Sequence, residues 1–159
     1  MSRTLRRPGM ESTASFGGAV TLCTAGMLGL LHVILSANVI RTRGATGVTT
    51  GVGAEDSLLA RRVRAHANNA EHAPIFVLLL GLVEGKARSG AMNDYVAPGS
   101  GLGMFVPALA VMFVTGRIMH AVTFSTLRKS VVGRVGGTAL TLTCISAASL
   151  AALATTIFS

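Results

Sequence analysis

Tryptophan is absent from this chain, tyrosine occurs once, and charged residues make up only 13% of its 159 positions. With so few aromatic rings there is no stacking platform for bases, so the net charge of +8 does not describe a nucleic-acid surface. Cysteine is almost as scarce. Cys23 and Cys144 each lie deep in an apolar run without a close cysteine or histidine partner, which excludes a disulfide framework and leaves no metal site to expect. No Cys-x-x-Cys-His occurs, and His66 and His72 stand six apart on different helical faces, so haem is not expected either. Soluble domains carry about a quarter charged residues, and the deficit here points to a membrane protein.

Long apolar runs fill the space that charge leaves. Residues 12–40 and 135–159 contain no Asp, Glu, Lys or Arg, and residues 101–127 contain only Arg117. Each exceeds the ~20 residues that an α-helix needs to cross the hydrocarbon layer. A fourth run, about 60–85, is polar in its first half. Helices are the only open-chain way to satisfy backbone hydrogen bonds in lipid, so the expected fold is an all-α, integral membrane four-helix bundle. The spans are placed at about 15–40, 60–85, 103–127 and 136–158. They form a single domain over 15–158, preceded by a basic arm over 1–14. Arg3, Arg6 and Arg7 precede the first run, but it is longer than the ~7–15 residues of a signal-peptide core, which favours a retained helix. In this multi-pass arrangement loops one and three share a side, carrying Arg41, Arg43, Arg61, Arg62, Arg64, Arg128, Lys129 and Arg134. That excess over Arg3, Arg6, Arg7, Lys86 and Arg88 places loops one and three in the cytoplasm, with anionic lipid as a partner.

The polar half of the second span is ordered. Arg61, Arg64, Asn68 and Glu71 follow i, i+3, i+7 and i+10, one stripe of a helix. At ~1.5 Å per residue Glu71 lies about 16 Å in and Arg117, on the returning third span, about 15 Å in; Asn68 and His120 fall nearby. An isolated charge in hydrocarbon costs ~2.5–3.5 kcal/mol on the lenient scale, so these groups need a partner or a watery cavity. One reading is a structural Glu71–Arg117 ion pair. The other is a pocket for a small zwitterionic peptide, whose carboxylates suit arginine forks and whose ammonium suits a glutamate. Pro74 deprives the Ala70 carbonyl of its donor, which predicts a kink or a polar cavity there. Small residues such as Gly136, Gly137 and Ala148 predict close helix contact, and Glu84 is expected to end the second helix at the interface.

The pattern Arg61-x-x-Arg64-Ala65-x-x-Asn68-x-x-Glu71-x-x-Pro74-x-Phe76, followed by Gly116-Arg117-Ile118-Met119-His120, resembles the signature of the membrane-associated proteins in eicosanoid and glutathione metabolism, the MAPEG family. The resemblance implies a homotrimer of four-helix protomers, with glutathione as thiol co-substrate held between neighbouring subunits near the cytosolic face. It assigns glutathione binding to Arg41, Arg64, Asn68, Glu71, Arg117 and His120, and thiolate stabilisation to Arg134, with Arg128 as the alternative. The implied activity is that of a microsomal glutathione transferase or peroxidase acting on a lipophilic small molecule. One departure stands out: eicosanoid-synthesising members carry a tyrosine four positions after the His120 equivalent, and this chain has Phe124. Two other classes stay open, a non-catalytic scaffold of the same architecture and a small proton-coupled exporter using Glu71.

Overall fold

In the computed structural model of the chain, residues 17–88, 101–126 and 131–157 are described. They form four α-helices: α1 (Ala19–Thr46), α2 (Leu58–Arg88), α3 (Gly101–Ser125) and α4 (Val131–Ile157). Three of them, α1, the Met104–Ser125 part of α3, and α4, are long and apolar enough to cross a membrane. α2 has the length, but its polar first half lowers its hydropathy. The chain is an integral membrane protein with an all-helical architecture. The basic arm and loop two, with Tyr95, lie outside the described residues, as does Arg128.

Successive helices run antiparallel. Gly17 N–H bonds the Gly81 carbonyl at 3.0 Å, joining the start of α1 to the far half of α2. Arg61 Nη1 donates to the Thr126 carbonyl at 3.3 Å, so the start of α2 meets the end of α3. Loops one and three therefore emerge at the same end of the bundle. α2 and α3 are central, each packing on the other three helices, while among the described residues α1 and α4 do not meet. The main core gathers Leu28, Phe76, Leu80, Val106, Phe113, Cys144 and Ala148, with Phe76 and Phe113 stacked at 3.8 Å. A second cluster, Leu35, Ala65 and Ala121, lies nearer loops one and three. Arg117 sits on α3 between Phe113 and Ala121, and hence between the two clusters.

Helix ends differ from the expected bounds, most of all at the end of α1 and the start of α4. α1 continues past residue 40 to Thr46 and takes Arg41 and Arg43 into the helix. Arg43 folds the following loop back by donating to the Val48 and Gly51 carbonyls at 3.2 and 2.9 Å. Gly47, at φ 69°, closes the helix with its N–H on the Arg43 carbonyl, a left-handed cap that favours glycine. α4 starts at Val131, five residues earlier than expected, which brings Arg134 into its first turn.

Glu84 does more than end α2. It is buried, and its carboxylate accepts from Gly18 N–H (3.0 Å), Val20 N–H (3.3 Å), Thr21 N–H (2.8 Å) and Thr21 Oγ1 (2.6 Å). The N-cap of α1 is Gly18, which has no side chain to satisfy the first turn. A carboxylate from α2 supplies that cap and opposes the positive end of the helix dipole.

Candidate functional site

The site begins with two glycines. A Cβ on Gly137 of α4 would lie 2.8 Å from the Gly116 carbonyl oxygen and 2.9 Å from His120 N; one on Gly116 of α3 would lie 2.9 Å from Leu140 Cβ. The two backbones thus touch, and α4 turns the small residues Gly137, Thr141, Cys144 and Ala148 inward. This contact fixes what stands on either side of it. Below it, Arg117 Nη1 donates to Thr141 Oγ1 at 3.2 Å. Above it, Phe124 stacks on His120 with ring centroids 4.5 Å apart, and the Arg134 guanidinium lies over the Phe124 ring at 5.8 Å. His120, Phe124 and Arg134 line a cleft of about 430 Å³ with Val135, Thr138, Ala139 and Leu142. His120 is buried at its floor, and Arg134 is exposed at its mouth.

α2 contributes the adjoining face. Arg64 and Glu71 are exposed on the outside of the bundle, and Asn68 is half-buried with its Oδ1 closed off and without a hydrogen-bond partner. His72 Nδ1 lies 2.8 Å from the Asn68 carbonyl oxygen. A carbonyl can only accept, so Nδ1 carries the proton and a neutral His72 keeps its lone pair on Nε2. Arg117, His72 and Arg134, from α3, α2 and α4, are the charged and titratable groups near His120, and Glu71 is the carboxylate near Arg117.

The helical lengths, the α3–α4 contact and the polar face of α2 make a recognisable whole, and residues 21–154 match the MAPEG family. The chain belongs to that family. The match begins two residues into α1 and ends three residues before the end of α4, so the MAPEG fold accounts for nearly the whole bundle. MAPEG proteins include glutathione transferases and peroxidases, commonly use glutathione and are typically trimeric. No curated protein matches this chain.

Within this MAPEG chain the expected site residues other than Arg117 and Arg128 fall into three places. His120 and Arg134 share the α3–α4 cleft; Arg64, Asn68 and Glu71 lie on the α2 face; Arg41 is elsewhere. It lines a cavity of about 530 Å³ at the loop-one end of α1 and α2, together with Thr42, Ser57, Leu59 and Arg62. Arg62, which the motif left out, is bonded to Thr42 Oγ1 at 2.5 Å and to the Asn38 carbonyl at 3.4 Å. His72, one position after Glu71, entered the sequence reading only as a haem ligand, and Asn69, whose fully buried amide has no partner at either end, did not enter it. Asn69 lines a cleft of about 470 Å³ between α1 and α2 with His32, Ala70 and Pro74, whose walls are mostly apolar. His32 and His66 meet ring to ring at 4.5 Å.

Arg117 is fully buried, and its Nε and Nη2 have no hydrogen-bond partner. It stands behind His120 rather than in the cleft. A buried cation with one neutral bond is held at a cost that a hydrophobe of similar volume avoids. Arg117→Met is therefore expected to leave the unfolding midpoint in detergent unchanged or raise it, by about 1–4 kcal/mol on the scale of comparable replacements. A marked fall would show that Glu71 pairs with Arg117 closely enough to outweigh desolvation.

Proposed function

We propose that the protein is a membrane-bound glutathione-dependent transferase or peroxidase working as a homotrimer, with loops one and three on the cytoplasmic side. The observation that carries this reading is Arg134, held over an aromatic ring at the mouth of a cleft floored by His120. Arg134 stands in the first turn of α4, where there is no acidic residue. A guanidinium and the positive end of a helix both favour an anion. A glutathione thiol there loses its proton more readily, and the thiolate is the nucleophile. Arg128 is the alternative for this role.

The rest of the tripeptide needs two carboxylates and an ammonium matched. Arg64 suits a carboxylate, Glu71 the ammonium, and Asn68 and His120 its amides, with Arg117 completing the charge behind them. Arg41 opens on the other side of the protomer, so it reaches the same ligand only from a neighbouring copy, which fits glutathione held between subunits. The acceptor comes from the bilayer: Val135 and Leu142, on the cleft wall, are exposed apolar residues. With an alkylating electrophile, the thiolate sulfur forms a C–S bond as the leaving group departs. With a hydroperoxide, it attacks the terminal oxygen and breaks the O–O bond, giving the glutathione sulfenic acid and an alkoxide that takes up a proton and leaves as the alcohol. A second glutathione then displaces water from the sulfenic acid to give the disulfide.

Calorimetry with detergent-purified protein tests the pocket. Saturable glutathione binding is expected, and Arg64→Ala and Glu71→Ala should each weaken it roughly 10-fold or more, as loss of a charge-assisted hydrogen bond does. Well-folded wild-type protein that binds no glutathione overturns the reading. Because Phe124 offers no hydroxyl to a thiolate, binding without turnover of any electrophile would identify a non-catalytic scaffold.

A further inference from the structure

Phe124 departs from the tyrosine of the eicosanoid-synthesising members, yet its half-buried ring has two partners. One face stacks on His120, with centroids 4.5 Å apart and planes 24° from parallel. The Arg134 guanidinium carbon lies 5.8 Å from the ring centroid, within the ~6 Å at which a cation is drawn to an aromatic face. All three residues line one cleft and come from the two helices joined at Gly116 and Gly137. Arg134 is exposed and sits where the helix dipole repels a cation, so its long side chain gains nothing from its own helix. A ring beneath it is what limits where the guanidinium goes.

We propose that Phe124 is a positioning residue: its ring holds the Arg134 guanidinium at the mouth of the cleft. The proposal rests on the glutathione reading above. Its content is that the missing hydroxyl has not left the position idle. The ring sets the distance between the guanidinium and a thiolate, while Arg134 supplies the charge. Substituting Phe124 therefore acts on sulfur ionisation through Arg134, and not on tripeptide binding as a whole. Among the described residues, the charged and titratable groups around His120 are Arg117 on α3, His72 on α2 and Arg134 on α4, and of these only Arg134 is held by this ring.

The test is a pH titration of bound glutathione, followed by thiolate absorbance, in wild-type protein, Phe124→Leu, Phe124→Met, Phe124→Tyr, Arg134→Gln and the Phe124→Leu/Arg134→Gln double variant. S-methylglutathione, which has no thiol proton, is titrated calorimetrically in parallel. Phe124→Leu and Phe124→Met are expected to lower the thiol's ionisation constant roughly 2- to 5-fold, the range a cation–π contact supports. Phe124→Tyr, which keeps the ring, should ionise at or below the wild-type midpoint. S-methylglutathione affinity should stay within about 2-fold throughout, and in the double variant the leucine should add nothing to the effect of Arg134→Gln. Two Phe124 variants guard against one that misfolds. The proposal is overturned if loss of the ring leaves ionisation unchanged, if its effect persists undiminished without Arg134, or if S-methylglutathione affinity falls in step. Wild-type protein that binds neither ligand fails the glutathione reading itself, and the positioning role falls with it.

Discussion

Gly137→Val is expected to give protein that no longer elutes as a single species in detergent and no longer unfolds cooperatively. A side chain at 137 starts 2.8 Å from the Gly116 carbonyl oxygen and 2.9 Å from His120 N, which are backbone atoms of a packed helix and cannot rotate aside. Overpacking a core costs about 1–3 kcal/mol when side chains can adjust. Here only whole-helix displacement relieves the clash, so the cost lies at or above the top of that range. Displacing α4 also takes Thr141 from Arg117 and Arg134 from Phe124, and glutathione binding should disappear with the fold. The neighbouring glycine is the control. A Cβ on Gly136 meets only Met119 Cε, at 3.8 Å, so Gly136→Ala should elute and melt like wild type. Size-exclusion chromatography and thermal circular dichroism on the two variants decide it, and a well-behaved Gly137→Val would remove the backbone contact from the account of the site.

Glu84→Ala should be nearly as damaging, at the opposite end of the bundle. Its carboxylate satisfies three backbone N–H groups and one hydroxyl at the start of α1. Each buried donor left without an acceptor costs about 1–3 kcal/mol, so a total of about 3 kcal/mol or more is expected, read as a fall in the thermal midpoint. Glu84→Gln keeps an acceptor but loses the charge, and charge-assisted bonds are roughly twice as strong as neutral ones, so it should fall about midway. Thr21→Val removes one donor of the four and should cost least. Equal stability of Glu84→Ala and wild type would mean that water satisfies the first turn of α1 unaided.

Much of the architecture was legible because a bilayer enforces it. The uncharged runs at 12–40 and 135–159 could only be helices of membrane length. The stripe from Arg61 to Glu71 was legible for a related reason, since charge at that depth is costly without a purpose. Glu84 was harder. Its distance in sequence from Thr21 gave no sign of the cap, and a lone glutamate near the end of an apolar run reads as an interfacial residue. Arg41 was placed with the glutathione residues on the strength of resemblance alone. A single protomer holds it in a different cavity, a separation that spacing along the chain could not reveal. His72 gave a weak signal, standing beside Glu71 in a motif whose quoted positions skip it.

What the sequence determined by itself is that the chain is built of helices, three of them of membrane length and hydropathy, and which short motif they carry. Which face of each helix turns inward was decided only in the tertiary structure. Hydropathy sorts inside from outside when the outside is water; in lipid both are apolar. Leu28 is 3% exposed and Leu30 is 68% exposed, and no difference in their chemistry foretells it. The α3–α4 contact is settled by the mutual fit of Gly116 and Gly137, two residues without side chains, and the ring that carries Arg134 comes to it only because those backbones touch.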